Sequence, residues 1–139
     1  MIDVNQITIL IILCYAGYVD WKTRTIPTEI ILTIYFCALF YSEVPVTERL
    51  AGFVIPALPL FFVALFNKNI KGGDIKYLSA VGAFFGLPTL ATILVPTTIA
   101  AIVWSAAKKE KSVPLATVTA VGCAVYYIIS YLLKGVLQC

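Results

Sequence analysis

The chain alternates long apolar runs with short polar breaks. Six runs stand out, at residues 7–19, 28–41, 50–66, 75–87, 89–107 and 114–133. Five connections separate them: 20–27, 42–49, 67–74, a tight turn at Gly86 and Pro88, and 108–113. The last two runs, at 19 and 20 residues, are long enough to cross a hydrocarbon core of about 30 Å. The first, second and fourth, at 13 to 14 residues, fall short of that. Each is expected to recruit flanking residues: Val4 to Gln6, then Ile26 and Pro27, then Gly72 to Asp74. The pattern predicts an all-α membrane protein, a polytopic bundle of six transmembrane helices forming one domain over 1–139.

Composition agrees with this and narrows the chemistry. Of 139 residues, 61% are hydrophobic and 12% charged, against about a quarter charged in soluble domains. Mean hydropathy is +0.98. There is no histidine, which excludes serine triads, Cys–His dyads and the HExxH zinc site. Cys14, Cys37, Cys123 and Cys139 form no CxxC pair, so neither a metal nor a redox centre is expected, and no cofactor is. Three of the four lie in apolar runs, where cysteine behaves as a small hydrophobe. The first run lacks the basic flank of a signal peptide and is preceded by Asp3. Small residues recur at three-to-four spacing in run four (Ser79, Ala80, Gly82, Ala83) and run six (Ala116, Ala120, Gly122, Ala124). Such spacing lets membrane helices approach closely.

The net charge of +3 is informative through its distribution. Lys22, Arg24, Lys68, Lys71, Lys76, Lys108, Lys109 and Lys111, eight of the ten basic residues, cluster at the first, third and fifth connections. Arg49 and Lys134 fall on the other side. An excess of Lys and Arg marks cytoplasmic loops. The odd connections are therefore expected in the cytoplasm, with both termini extracytoplasmic. The expected partner is the lipid bilayer and a membrane substrate, not nucleic acid.

Orientation gives the two aspartates a common address. Asp20 ends run one and Asp74 opens run four, with two crossings between them, so both face the cytoplasmic side. Two neighbouring carboxylates do not both ionise cheaply, so one holds a proton while the other stays charged. The charged one draws a proton from a trapped water. The protonated one donates to a peptide carbonyl. Neither Asp is assigned the acid role, because such a pair titrates as a unit. A Ser79–Lys76 pair, three residues apart, is a remote hydrolytic alternative. Each residue also has a plainer explanation. Asp74, after Gly72 and Gly73, suits a helix N-cap, and Asp20 could simply end a helix at the water interface. Lys22 and Arg24 could only set orientation, and Pro27 fits a first helical turn.

The sequence Asp20-Trp21-Lys22-Thr23-Arg24-Thr25-Ile26-Pro27 resembles the first motif of the type IV prepilin peptidase family, an Asp at a helix end followed by a basic stretch and Ile-Pro. Lys71-Gly72-Gly73-Asp74-Ile75-Lys76 resembles its second motif, GxGD followed closely by Lys. Val113-Pro114-Leu115-Ala116 resembles the proline-initiated last helix. The resemblance covers essentially the whole chain. It implies a membrane aspartic endopeptidase that removes the basic cytoplasmic leader from prepilins or pilin-like preproteins. Asp20 and Asp74 would be the catalytic pair. Gly72 and Gly73 would shape the loop presenting Asp74, with Arg24, Ile26, Pro27 and Lys76 in supporting or substrate-binding roles. Lys71 stands where the first Gly of GxGD is expected, and Thr28 where many members have Asn. Larger members carry an additional cytoplasmic domain and methylate the new N-terminus; peptidase activity alone is expected here.

The substrate's apolar helix is expected to supply most of the binding, with Glu29 and Glu110 the remaining cytoplasmic acids. Two rival readings remain at this level. One is an intramembrane aspartic protease that cuts within transmembrane helices. The other is a non-enzymatic transporter or assembly subunit.

Overall fold

The computed structural model describes residues 3–67, 71–109 and 113–138. Lys68, Glu110, Lys111 and Cys139 lie outside the described residues. Among those described, the structure is six helices and no strand: α1 (Val4–Thr23), α2 (Thr28–Tyr41), α3 (Val46–Phe66), α4 (Gly72–Phe85), α5 (Leu87–Lys108) and α6 (Leu115–Leu137). Four of these, α1, α3, α5 and α6, are long and apolar enough to cross a membrane. The other two have 14 residues each, or about 21 Å of helix.

The expected flanks are recruited in part. α1 takes in Val4 to Gln6 and α4 takes in Gly72 to Asp74. α2 does not take in Ile26 and Pro27; Pro27 is its N-cap, with extended backbone (φ −60°, ψ 138°). That suits a residue whose carbonyl accepts from the N–H groups of Ile30 and Ile31. α3 begins at Val46, so Glu48 and Arg49 are helical rather than part of a loop. Between α4 and α5 the turn is made by Gly86 at φ 77°, a conformation only glycine adopts without strain.

α4 is the hub. Eight of its fourteen residues are buried, and it packs against α2, α3, α5 and α6. α1 lies against α6 and α2, and α5 against α6. The small residues permit these approaches. A Cβ on Gly82 would drive into the carbonyl of Gly52 on α3, and one on Gly122 would drive into the Thr97 hydroxyl of α5. At the Gly86 end, Arg49 ties three helices together. Its guanidinium donates to the carbonyls of Ala83 (3.2 Å) and Ala38, while the Ser42 hydroxyl donates to the Phe84 carbonyl at 2.7 Å.

The outer surface carries many large apolar side chains. Phe61, Phe62, Leu65, Ile99, Ile102, Val103, Ile128 and Leu132 are all exposed. In water such a surface would aggregate, whereas hydrocarbon solvates it. This is a multi-pass membrane protein.

Candidate active site

Asp20 lies in the last turn of α1 yet is only 3% exposed. It does not simply end a helix in water. The reason is on α6, whose N-cap is Pro114, a residue with no side-chain acceptor for the unpaired N–H groups of the first turn. Asp20 supplies that acceptor from another helix: its Oδ2 accepts from the Ala116 N–H at 3.0 Å. The carboxylate thus sits at the positive end of α6, where a negative charge is favoured. Below it, the Thr117 hydroxyl donates to the Gly17 carbonyl at 2.7 Å. A Cβ at Gly17 would stand 3.1 Å from the Thr117 Cα, so glycine lets α6 come this near.

Asp74 is the third residue of α4, half-buried, and is not the N-cap. That position belongs to Lys71, whose carbonyl accepts from the Asp74 N–H at 3.0 Å. Capping therefore does not account for Asp74. Gly72 and Gly73 form the first turn of the same helix, and a Cβ on either would meet nothing among the described residues within 4 Å. They bend no loop; they leave open space beside Asp74. The two acids share one end of the bundle and are near enough for the charge of Asp20 to act on Asp74.

The supporting residues divide. Arg24 closes α1 in the left-handed conformation (φ 56°), its N–H donating to the Asp20 carbonyl at 2.7 Å. Its own carbonyl accepts from the Lys71 ammonium at 2.6 Å. Ile26 packs against the core. Lys76 and Lys22 are exposed. Ser79 is buried in the packed interior while Lys76 faces outward, so the Ser–Lys alternative loses its pair. Glu29 is exposed and borders a shallow groove between α1 and α2, with Ile11, Tyr15 and Ile30.

One participant, and one buried neighbour, escaped the sequence pattern. The Ala116 N–H is a backbone group, and only the proline opening α6 hints that it needs a partner. Tyr77, one turn along α4 from Asp74, is fully buried, and its hydroxyl has no hydrogen-bond partner among the described residues. Asp20 lies within electrostatic reach of it. Among the described residues, no three His, Cys, Asp or Glu gather as a metal site.

A sequence model of the Type IV leader peptidase family matches residues 7–106. That span contains Asp20, Asp74 and the segments joining them, and ends before α6. No curated protein and no solved structure matches the chain.

Proposed function

The chain belongs to the type IV leader peptidase family, and from that premise we propose that it is an aspartic endopeptidase removing the cytoplasmic leader from type IV prepilins or pilin-like preproteins. The observation that carries this reading is the pair Asp20 and Asp74, set on two helices at one end of the bundle, with the charge of Asp20 reaching Asp74. Sharing one proton between them gives both a base for water and a donor for the scissile carbonyl. Attack forms a tetrahedral gem-diol with no covalent enzyme adduct; as it collapses, the acid that took the water's proton gives it to the leaving amine, and a gem-diol hydroxyl returns a proton to the other acid.

The chain's residues set up that chemistry in distinct ways. The Ala116 N–H fixes one oxygen of Asp20, leaving the other as the one available to a water drawn in with the substrate. The open space over Gly72 and Gly73 admits an extended substrate backbone beside Asp74. The groove between α1 and α2 accommodates apolar side chains of the substrate's helix, and Glu29 at its edge meets a basic leader. With the odd connections cytoplasmic by their Lys and Arg content, the cut falls on the cytoplasmic side.

The test is direct. Purified protein in detergent is incubated with a precursor made of a basic leader joined to an apolar helix, and the products are weighed by mass spectrometry. Wild type is expected to cut at the leader junction, and Asp20→Asn and Asp74→Asn to give no product. Cleavage persisting in either variant would remove the two-acid mechanism. A cut deep within the apolar helix would instead favour a protease of transmembrane segments.

A further inference from the structure

The helices that carry the two acids do not pack on each other. Among the described residues, α1 lies against α2 and α6, α4 lies against α2, α3, α5 and α6, and the backbones of α1 and α4 nowhere approach closely. Their ends are joined instead by three hydrogen bonds in series. The Arg24 N–H donates to the Asp20 carbonyl at 2.7 Å. The Lys71 ammonium donates to the Arg24 carbonyl at 2.6 Å. The Asp74 N–H donates to the Lys71 carbonyl at 3.0 Å. The middle bond is the one that crosses between the two segments, spanning 47 positions of sequence.

We infer that Lys71 is a positioning residue, a latch whose ammonium on the Arg24 carbonyl holds the segment bearing Asp74 against the segment bearing Asp20. The inference rests on the two-acid peptidase reading and assigns a role within it. Lys71 suits the task because its side chain is long enough to cross from the N-cap of α4 to the C-cap of α1. Its backbone meanwhile closes the first turn of α4. A glycine there could do the second but not the first. The ammonium also acts on both carboxylates by its charge, while Arg24 acts on Asp20. The latch therefore brings its own positive charge to the place where two negative groups must be kept together. An ammonium-to-carbonyl bond is a charge-assisted one, stronger than a neutral pair. Because Lys71 is exposed, its replacement leaves the core packing untouched.

Lys71→Met keeps the length and removes the donor and the charge; Lys71→Arg keeps both. Against the leader-bearing precursor, Lys71→Met is expected to lower kcat about tenfold, since small displacements of reacting groups carry large rate costs. KM is expected to change little, the melting temperature to stay at the wild-type value, and Lys71→Arg to recover most of the rate. Hydrogen exchange over residues 20–27 and 71–76, followed by mass, reads the latch without substrate and is expected to speed up in Lys71→Met alone. A wild-type kcat in Lys71→Met, a change confined to KM, a lowered melting temperature, an equal loss in Lys71→Arg, or unaltered exchange would each overturn the assignment. Asp20→Asn and Asp74→Asn, assayed alongside, keep the two ideas apart. If they are inactive while Lys71→Met is at full rate, only the latch fails. If they still cleave, the peptidase mechanism fails, and the exchange measurement judges the latch by itself.

Discussion

A carboxylate that caps a neighbouring helix can be tested apart from any chemistry it performs. Asp20→Asn still offers an oxygen to the Ala116 N–H, so its melting temperature is expected to stay near wild type. Asp20→Ala leaves that buried N–H unpaired and is expected to cost about 1–3 kcal/mol, read as a lowered thermal midpoint in detergent. Equal stability of the two variants would mean that water replaces the carboxylate. Gly73 provides the complementary case. A methyl group there meets nothing among the described residues within 4 Å, so Gly73→Ala is expected to fold as well as wild type while slowing cleavage, because the methyl intrudes on the space proposed for substrate. Undiminished cleavage by a stable Gly73→Ala would show that substrate does not pass there. At this scale the local sequence named both acids and both glycines. It did not say that Asp20 would be buried or that Asp74 would be left out of the capping role, because their partners, Ala116 and Lys71, are set by folding.

Helices meet here through small residues, and the sharpest meeting is between Gly52 on α3 and Gly82 on α4. Gly82→Ala forces the two backbones apart and is expected to cost about 1–3 kcal/mol, the usual range for overpacking, whereas Ala83→Gly, at a partly buried position beside it, is expected to cost no more than the helix-propensity difference of about 1 kcal/mol. A thermal melt compares them; equal midpoints would show that α3 slides freely on α4. Arg49 is expected to matter similarly at the Gly86 end. Arg49→Met strips a donor from the carbonyls of Ala83 and Ala38 and should lower the midpoint, while leaving the acids at the far end of α4 in place. Element boundaries were mostly legible, since apolar runs end where polar residues begin. α3 escaped that rule: Thr47, Glu48 and Arg49 are polar but helical, because Arg49 is held by carbonyls of other helices and a polar first turn at the membrane edge costs little.

For the molecule as a whole, the apolar exterior requires a bilayer, and the proposed orientation, with the basic connections in the cytoplasm, is open to direct test. In a variant with Cys14, Cys37, Cys123 and Cys139 replaced by Ala, Thr25→Cys is expected to react with a membrane-impermeant maleimide only from the cytoplasmic side. Glu43→Cys is expected to react only from the opposite side. The reverse pattern would place the acids outside the cell and end the leader-peptidase reading. Both probes sit on connections described in the structure, one beside Asp20 and one at the Gly86 end.

The order of apolar and polar residues by itself determined six helices, their membrane environment and a pair of aspartates at the ends of the first and fourth. These follow from local rules, since a run of apolar side chains must leave water wherever the rest of the chain goes. Only the tertiary structure decided that α4 is the hub, that Asp20 caps α6 across 96 positions of sequence and that Lys71 reaches Arg24. Those pairings depend on which helices become neighbours. That is settled by the shapes of glycine-lined faces and by backbone groups such as the Ala116 N–H, which every residue but proline carries and no sequence pattern can single out.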